Sequence, residues 1–596
     1  MSTPARPAAA AATADDDRAR WSRLASTDEV AGDGPFAAAA DGVDVVIVRA
    51  GGALRVFEGL CPHQGALLGE GELDGGALVC RNHRWRFDAA TGQRDGGPQC
   101  LRACPVEERD GAVWADLSAL ARVEAAPPRR RLADLPGPRG LPLLGNALQI
   151  DLDRLHLQLE AWAREYGPLY RLKLGSRDMV VTTDTALIEQ TLRERPEAFR
   201  RDGRVEPIFA ELGVAGVFSA EGKAWRPQRK LAMGALSQKH LRTFYPTLHR
   251  VAGNLRARWE RAADAGAEID LLDDLMRFTV DVTTLLVFGH DVDTLGGGRD
   301  VIQRHLERFF PTFARRLNSV VPWWRVLRMP SDRRTDRAVA ALRAWLGELV
   351  VAARAALAAE PARAARPANF LEAMLAARDD DGAPFDDDVI FGNLVTMLLA
   401  GEDTTANTLA WAVHHLIDLP DEVAAVRAEI AAVAGDAAVP ADLDTANRLH
   451  RITGVAQEAM RLHPVAPSMF VEANHDVVLG DLELPAGTNV AGLIRPAAVD
   501  DANFADAAAF RPARWLDAER GPGAHAPSVH MPFGSGPRIC PGRTLALVEM
   551  RVVLATVYQA FDVTRVGAAD AVHEKFSFTV SPVGIRVRMH RRPPAA

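Results

Sequence analysis

The chain has 596 residues, of which 48% are apolar and 25% are charged, and its formal net charge is -8. These values are typical of globular proteins, so they exclude a disordered, collagen-like or membrane-embedded chain and argue against a bulk nucleic-acid binder. No apolar run reaches the roughly 18 residues that span a bilayer. The start of the chain does not look like a secretory signal, and five cysteines are too few for a disulfide scaffold. We therefore expect a soluble, cytoplasmic protein with no membrane span.

Four segments follow one another along the chain. Residues 1–20 are rich in Ala, Pro and Asp and are expected to form a disordered tail. Residues 21–118 contain short β runs broken by GG, DG and DGG turns, which predicts a small antiparallel all-β domain. Residues 119–134 combine two prolines with three consecutive arginines and are typical of a linker. Apolar residues at helical spacing dominate residues 135–596, which predicts a large, mainly α domain with minor β structure.

Two short motifs in the β-rich part each combine one thiol with one imidazole. They are Cys61-Pro-His63 and Cys80-Arg-Asn-His83. Composition alone would give this spacing with a probability on the order of 3 in 100,000. Two thiolates and two imidazoles could hold a tetrahedral zinc, although zinc fingers usually pair Cys with Cys and His with His along the chain. The mixed motifs suit a 2Fe-2S cluster of the Rieske type, in which two thiolates hold one iron and two imidazoles the other. A cluster, a structural zinc and unligated residues remain as alternatives.

Residues 21 to about 117 resemble the Rieske ferredoxin family, including the RFDAATGQ run after the second motif. The resemblance implies four ligands of a 2Fe-2S cluster: Cys61, His63, Cys80 and His83. Neither motif has the extra cysteine that links the two loops by a disulfide in respiratory-complex Rieske proteins. We therefore expect a ferredoxin or oxygenase type, with a potential near the low end of the Rieske range, about -150 mV. Cys100 and Cys104 are expected to be small buried apolar side chains rather than a regulatory disulfide.

A further motif near the C-terminus runs Phe533-Gly-Ser-Gly-Pro-Arg538-Ile-Cys540-Pro-Gly. Glycines allow positive φ and close approach of a flat ligand, so this loop could aim a thiolate at a metal, although a cysteine in such a turn can also be buried filler. The run resembles, at every marked position, the haem-binding signature of the cytochrome P450 superfamily. The resemblance implies haem b with Cys540 as the axial iron ligand, Arg538 at a haem propionate and Phe533 beside the sulfur.

A pair of charged motifs resembles the same superfamily. Glu458-Ala-Met-Arg461 places opposite charges at positions i and i+3 of a predicted helix, an arrangement that is usually a surface pair. The segment that ends in Arg514-Trp515 resembles the family segment whose arginine completes a Glu-Arg-Arg network. The resemblance implies that Glu458, Arg461 and Arg514 brace the haem loop.

Other segments extend the resemblance, with one departure. Trp225-Arg-Pro-Gln-Arg229 resembles the helix whose Trp and Arg contact the haem propionates, and Leu135-Pro-Gly-Pro138 resembles the Pro-rich start of the fold. Family members commonly carry an arginine a few residues after the Glu-x-x-Arg helix, where Val471 and Glu472 stand here. We therefore expect one propionate contact to be missing or replaced.

A long helix is predicted from the acidic run 386–388 to a stop near Pro420, about 45 Å in length. Its apolar pattern is interrupted by Ala400-Gly-Glu-Asp403-Thr404-Thr405. A mid-helix threonine often only bonds the carbonyl four residues back. In a haem-thiolate protein the run resembles the family's acid-alcohol pair, which implies that Asp403 relays protons and that Thr404 holds the distal oxygen during dioxygen cleavage.

These resemblances together predict a haem-thiolate monooxygenase that hydroxylates or epoxidises an apolar small molecule with dioxygen, its electrons delivered by the fused cluster. No Gly-x-Gly-x-x-Gly run stands between a strand and a helix, so a separate flavoprotein NAD(P)H reductase is expected, as in bacterial chains of this kind. A peroxide-driven or electron-independent haem enzyme and a redox or gas sensor are the alternatives. Several side chains could line an apolar substrate pocket or simply pack the core: Ile208, Phe209, Phe309, Phe310, Phe313, Trp323 and Trp324.

Overall fold

The structure is a computed structural model that describes residues 21–32, 34–82, 84–120, 130–175, 177–297, 309–319, 322–378 and 382–593. The predicted tail, most of the predicted linker and His83 lie outside these residues. The chain folds into two units, the first containing the residues up to Pro127 and the second the bulk of the remaining chain. The first is built of antiparallel sheets and the second is mainly helical, which confirms the predicted fold class.

The first unit contains three antiparallel sheets, with strand orders β1-β10-β9, β2-β3-β4-β8 and β5-β6-β7. The strands are β1 (Trp21–Ser26), β2 (Phe36–Ala40), β3 (Val43–Ala50), β4 (Ala53–Glu58), β5 (Glu72–Asp74), β6 (Ala77–Val79), β7 (Arg86–Asp88), β8 (Ala103–Cys104), β9 (Val106–Arg109) and β10 (Ala112–Asp116). The centre of β3 is buried, and Ile47 pairs with Val56 of β4 across the sheet. This apolar layer forms the core of the unit.

The hairpins of the first unit follow from the Gly-Gly and Asp-Gly pairs in the sequence. Two-residue turns with positive φ at both positions join β2 to β3, β3 to β4, β5 to β6 and β9 to β10. Such turns match the twist of paired strands and need residues that tolerate left-handed backbone. The turn pairs are Asp41-Gly42, Gly51-Gly52, Gly75-Gly76 and Asp110-Gly111. The turn signals in the sequence therefore fix the register of this unit.

The second unit contains fifteen described helices and twelve described strands. Its helices are α1 (Leu155–Tyr166), α2 (Thr185–Arg193), α3 (Val205–Glu211), α4 (Trp225–Ala235), α5 (Gln238–Asp264), α6 (Leu271–Phe288), α7 (Phe309–Asn318), α8 (Pro330–Ala359), α9 (Phe370–Ala376), α10 (Asp387–Leu416), α11 (Pro420–Ala434), α12 (Leu443–Asn447), α13 (His450–Leu462), α14 (Arg495–Ala498) and α15 (Arg543–Ala560). Its strands are β11 (Leu169–Leu174), β12 (Arg177–Thr182), β13 (Phe199–Arg201), β14 (Ile269–Asp270), β15 (Ser468–Ala473), β16 (Val477–Leu479), β17 (Leu482–Leu484), β18 (Asn489–Leu493), β19 (Phe561–Arg565), β20 (His573–Phe576), β21 (Val580–Val583) and β22 (Arg586–Arg591).

The sheets of the second unit are small. The largest has the order β11-β12-β18-β15-β13, in which β12 and β18 are parallel and the other pairs are antiparallel. The others are β14-β22-β19, β16-β17 and β20-β21. The core of the unit is therefore formed mainly by helices.

The central helix α10 confirms the long helix predicted from the acidic run. It has 30 residues, begins after Asp386 and ends before α11, which starts at Pro420. Helices α6, α13 and α15 pack around it and contribute to the main apolar core. Helix α6 approaches so closely that a Cβ on Gly401 would lie 2.5 Å from the Thr283 hydroxyl. The glycine in the predicted polar interruption is thus needed for this contact.

Candidate functional site

The two cysteine motifs of the first unit fold into loops with the same backbone hydrogen bonds. In each loop the cysteine N–H donates to the carbonyl five residues later, and the N–H four residues later donates to the cysteine carbonyl. The bonds are Cys61 N–H to Ala66 O (2.8 Å), Gly65 N–H to Cys61 O (2.8 Å), Cys80 N–H to Trp85 O (2.7 Å) and Arg84 N–H to Cys80 O (3.0 Å). Gly65 and Arg84, at equivalent positions, both have positive φ, at 65° and 60°. The motifs therefore form a repeated structural element.

The thiols of Cys61 and Cys80 meet between these loops. Both side chains are buried, and a hydrogen bond with the Cys80 thiol, together with burial, raises the pKa of Cys61. Two neutral thiols would gain little free energy from being buried side by side. Two thiolates that bind one metal ion would have their negative charges offset by the charge of that ion. Of the predicted ligands, His63 lies two residues beyond Cys61 in the first loop, while His83 lies outside the described residues.

The two loops are also joined by their side chains. Asn82 Nδ2 donates a hydrogen bond of 3.2 Å to Gln64 Oε1, and both side chains are buried. This bond connects the loops where the disulfide of respiratory-complex proteins is absent. It is buried, so removing either partner leaves an unsatisfied amide.

The described residues contain no group of three or more His, Cys, Asp or Glu spaced to hold one metal ion. His83, the fourth predicted ligand, is outside that set of residues. A 2Fe-2S cluster of the Rieske type separates the thiolate pair from the imidazole pair, and the residues present fit that group.

The cysteines outside the loops divide into one buried and one exposed side chain. Cys104 is buried, which raises its pKa to about 11. Cys100 is exposed, so the prediction that it is a buried apolar side chain is wrong. It forms an isolated antiparallel β-bridge with Gln93, three residues before β8.

In the second unit, Cys540 ends a glycine-rich loop directly before α15. Its N–H donates to Phe533 O at 2.9 Å, and Gly534 has a positive φ of 75°. The Cys540 side chain is exposed, although α15 is largely buried. Phe533 and Arg538 are half-buried in the same loop. The loop thus holds an accessible thiol beside a helix N-terminus, a position that favours a thiolate.

The predicted Glu458, Arg461 and Arg514 form a completely buried ion-pair network. Arg461 donates to both oxygens of Glu458 at 2.9 and 2.7 Å, and Arg514 Nε donates to Glu458 Oε1 at 2.8 Å. The Trp515 indole and the Arg511 N–H supply two further hydrogen bonds to the same carboxylate, each 2.9 Å. Both guanidinium groups also donate to backbone carbonyls between Ala498 and Ala509. The network fixes the chain segment that precedes the Cys540 loop.

Helix α4 carries two of the predicted haem contacts. Trp225 and Arg229 stand four residues apart in its first turns and are 2% and 4% exposed. The spacing puts them on one face of the helix. An arginine at this position could bind a haem propionate through charge-assisted hydrogen bonds.

The middle of α10 is more accessible than the rest of the helix. Residues 390–399 and 405–413 are buried, whereas Ala400 is exposed and Gly401, Asp403 and Thr404 are half-buried. The Thr404 hydroxyl donates to Ala400 O at 3.1 Å, the bond that a mid-helix threonine commonly makes. This local bond leaves the lone pairs of the hydroxyl oxygen able to accept a hydrogen bond. The accessible turn lies next to Thr405, which is hydrogen-bonded to α15.

The contact between α10 and α15 includes Glu549, a residue that was not predicted from the sequence. Glu549 of α15 is 2% exposed, and burial raises its pKa to about 8, while a hydrogen bond with Thr405 of α10 acts in the opposite direction. Glu549 lies six residues, or about 9 Å, beyond the start of α15. The Thr405 contact thus joins the helix of Asp403 and Thr404 to the helix that follows the Cys540 loop. A carboxylate on the apolar face of the helix after the cysteine was the available sequence signal.

Glu472 stands near the position where family members commonly carry an arginine, and the structure shows which groups it contacts. The Glu472 carboxylate accepts hydrogen bonds from Arg200 Nη2 at 2.5 Å and from the Gly203 N–H at 2.9 Å. Val471 is buried in β15. The acidic residue at this position thus holds β13 and the start of α3 through its own ion pair.

Two of the predicted pocket residues, Phe209 and Phe313, pack in an aromatic cluster. Phe209 of α3 contacts Phe218 and Phe313 at 5.5 and 5.0 Å between ring centroids, and Phe578 contacts Phe218 and Phe313 at 5.8 and 5.6 Å. The Phe309 and Phe310 side chains lie outside the described part of the chain. The other three have separate contacts: Ile208 is buried, Trp324 donates to Glu211 at 2.8 Å, and Trp323 packs edge-on against Trp324. Four phenylalanine rings from separate segments thus form one cluster, in which Phe209 and Phe313 are buried.

Within the described ranges no helix is both long and apolar enough to cross a membrane. Taken together, the accessible thiol, the buried Arg229 and the accessible turn of α10 fit a thiolate-bound haem.

Comparison with known proteins agrees with this geometry. The family model described as Cytochrome P450 matches residues 135–589, and the one described as Rieske [2Fe-2S] domain matches residues 20–107. Self-sufficient cytochrome P450 monooxygenase CYP505E4 of Penicillium camemberti (strain FM 013) is 27% identical over 460 residues, which cover 76% of this chain and 43% of the relative. Cytochrome P450 714D1 of Oryza sativa subsp. japonica is 30% identical over 466 residues, covering 74% and 78% of the two chains. Human 25-hydroxyvitamin D-1 alpha hydroxylase, mitochondrial, is 29% identical over 490 residues, covering 76% and 91%.

The chain spans less than half the length of the fungal relative. These relatives come from a fungus, a plant and a human, so they give no support to the expected bacterial setting. The match over residues 135–589 covers more than half of the chain, and the plant relative is similar over most of its own length. The chain therefore belongs to the cytochrome P450 family and carries a Rieske [2Fe-2S] domain ahead of its P450 domain.

Proposed function

We propose that this protein is a haem-thiolate monooxygenase that inserts one oxygen atom of dioxygen into an apolar organic molecule, with electrons delivered through its own Rieske cluster. The observation that carries the proposal is the accessible acidic turn of α10. Thr405, beside this turn, is hydrogen-bonded to Glu549 of α15, the helix that follows Cys540. A haem iron bound through a thiolate binds dioxygen and favours cleavage of its O–O bond. The chain itself must then position that haem, supply protons and hold the substrate.

Positioning of the haem falls to three groups of residues. Cys540 would hold the iron, and Arg229, Trp225 and Arg538 would bind the propionates. The buried network around Glu458 would keep the Cys540 loop from changing shape when the haem is bound, because each of its hydrogen bonds ties separate chain segments to one carboxylate.

Proton delivery falls to the residues of α10 and α15. The Thr404 hydroxyl oxygen would accept a hydrogen bond from a water molecule at the accessible turn, and Asp403 would pass protons inward from solvent. Glu549, with its pKa raised to about 8, is protonated near neutral pH and can supply a proton through Thr405. A group with a pKa near the working pH can both give up and regain a proton, which repeated turnover requires.

The substrate would be apolar. The rings of Phe209, Phe218, Phe313 and Phe578 form an aromatic cluster of the second unit, and the Arg201 guanidinium carbon lies 3.8 Å from the Phe218 ring centroid. Aromatic rings contact apolar groups over a large area and lose little rotamer freedom on binding. A substrate that presents a C–H bond would be hydroxylated, and one that presents a C=C bond would be epoxidised.

The electrons would come from a separate flavoprotein NAD(P)H reductase, through the cluster held by Cys61, His63, Cys80 and His83. A carrier tethered to its acceptor by a short linker acts at an effective concentration in the millimolar range. The fungal relatives are described as self-sufficient monooxygenases, but the match covers 43% of their length. Fusion to the cluster is the feature that favours this route over a peroxide-driven enzyme or a sensor.

Turnover assays on the full chain, loaded with both cofactors, test the proposal. Product from an apolar substrate panel should appear with dioxygen, NAD(P)H and a ferredoxin reductase. The Cys61→Ser variant should lose this activity yet keep its haem, while Cys104→Ser, which changes a buried cysteine outside the loops, should behave like the wild type. Equal product from hydrogen peroxide alone, or full activity in Cys61→Ser, would contradict the proposed electron route.

A further inference from the structure

Trp85 connects the two cysteine loops through its side chain as well as its backbone. Its carbonyl closes the second loop by accepting the Cys80 N–H at 2.7 Å. Its indole ring stacks on the imidazole of His63 in the first loop, with the ring centroids 4.4 Å apart and the planes 5° from parallel. One residue thus completes one loop and orients a predicted ligand of the other.

Arg94 covers the same indole. Its guanidinium carbon lies 3.4 Å from the ring centroid, and its Nη1 donates to Gln99 Oε1 at 2.8 Å. A planar imidazole and a planar guanidinium at these separations would overlap on one face, so they occupy opposite faces of Trp85. The result is a three-layer stack of Arg94, Trp85 and His63.

We propose that Trp85 is a positioning residue of the cluster, which fixes the ring plane of His63, and that Arg94 clamps the indole and contributes a positive charge that raises the cluster's reduction potential. The inference rests on the cluster assignment in the proposed function. Nothing in the ligand motif itself requires this stack, since Trp85 and Arg94 are not ligands.

Two physical arguments support the proposal. The terminal torsion of a histidine side chain is broad and poorly determined by rotamer preference, so a parallel neighbour at 4.4 Å restricts a ring that would otherwise rotate. Reduction of the cluster adds one negative charge. The Arg94 guanidinium is separated from the predicted ligand His63 by one indole ring, and a positive charge near a ligand favours the more negative, reduced form.

The same unit offers a matched control. Trp114 of β10 is also half-buried and also lies under an arginine, with the Arg109 guanidinium carbon 4.3 Å from its ring centroid. Trp114 is in the β1-β10-β9 sheet rather than in either cysteine loop. A general effect of losing a stacked tryptophan or its cation would therefore appear equally in Trp114→Leu and Arg109→Gln.

The test measures cluster content, the electron paramagnetic resonance spectrum of the reduced cluster and its midpoint potential in the full chain. Trp85→Leu should shift the g values and shorten the half-life of the cluster about tenfold, and Trp85→Phe should restore most of both. Arg94→Gln should leave the g values nearly unchanged but lower the ratio of reduced to oxidised cluster about threefold at a fixed potential, which is about 30 mV for one electron. Both control variants should match the wild type.

The outcomes separate this proposal from the cluster assignment. A wild-type chain without iron and sulfide would overturn the cluster assignment and the proposal with it. A loaded wild type whose g values, half-life and potential are unchanged in both Trp85→Leu and Arg94→Gln would overturn the positioning role alone. If Trp85→Leu does not fold, Arg94→Gln and Trp85→Phe decide the question, because an unchanged potential in Arg94→Gln refutes the charge effect.

Discussion

Replacing Glu458 by Gln should destabilise the P450 domain more than any exposed ion-pair change of the same kind. The carboxylate is fully buried and accepts five hydrogen bonds, from Arg461 twice, from Arg514 and Trp515, and from the backbone of Arg511. Glutamine keeps the shape but offers only one acceptor oxygen. At least two donors then face an amide N–H₂, and two buried guanidinium groups lose their counter-charge.

Removing one partner from a buried ion pair costs about 3–5 kcal/mol, because the remaining charge stays out of water. This raises the unfolding equilibrium constant by about two to four orders of magnitude. The thermal midpoint will understate the effect. With an unfolding entropy of about 2.1 cal/mol/K per residue, a domain of about 460 residues loses only about 1 °C per kcal/mol.

Urea unfolding followed by tryptophan fluorescence is therefore the better assay, with haem content per chain measured in parallel. The control is Asp444→Asn, which removes one partner of an exposed pair with Arg242, with hydrogen bonds of 2.6 and 2.9 Å. Exposed pairs contribute about 0–1 kcal/mol. If Glu458→Gln shifts the urea midpoint no more than Asp444→Asn does, the energetic reasoning for the buried network is wrong.

Three further changes test other parts of the molecule. Thr404→Ala should keep consuming reduced nicotinamide but divert the electrons to free hydrogen peroxide, as measured by the ratio of product to NAD(P)H oxidised. Glu549→Gln should remove a pH dependence of stability: the raised pKa of about 8 means that the folded state holds a proton that the unfolded state loses, so wild-type stability falls between about pH 4.5 and pH 8, by up to about 5 kcal/mol. Asn82→Leu leaves the Gln64 amide unsatisfied between the cysteine loops and should cost about 1–3 kcal/mol, seen as faster loss of the 2Fe-2S absorbance in denaturant.

Each change has an outcome that contradicts its premise. If Thr404→Ala forms as much product per NAD(P)H oxidised as the wild type does, the only function left for the Thr404 hydroxyl is its local hydrogen bond to the Ala400 carbonyl. For Glu549→Gln, denaturation midpoints parallel to those of the wild type from pH 5 to pH 8 would show that the carboxyl does not titrate in this range. An unchanged rate of cluster loss in Asn82→Leu would mean that the backbone bonds of the loops suffice.

Much of the fold was predictable because local signals determined it. The Gly-Gly and Asp-Gly pairs predicted the hairpins of the first unit, and the acidic run and Pro420 marked the start of α10 to within a residue and its end to within four residues. Glu458 and Arg461 were recognisable as a pair from their spacing. Their burial was not, since an i, i+3 ion pair on an isolated helix is ordinarily exposed.

The contacts that the sequence could not predict depend on tertiary packing. Nothing local to Glu549 indicates that its carboxyl meets Thr405 of a helix about 140 residues earlier. The Trp85 indole lies on a histidine of a different loop, which sequence spacing does not show. Cys100 is exposed while the next residue, Leu101, is buried, a detail that residue type alone does not determine.

The repeated hydrogen-bond pattern of the two cysteine loops has a consequence for how iron enters and leaves the protein. Each loop carries one sulfur donor and one nitrogen donor, so each would touch both metal atoms of the pair. If either cysteine loop opens, each of the two iron atoms would lose one ligand at the same time. We expect no stable species with a single iron, and chelation should deplete the centre in one cooperative step.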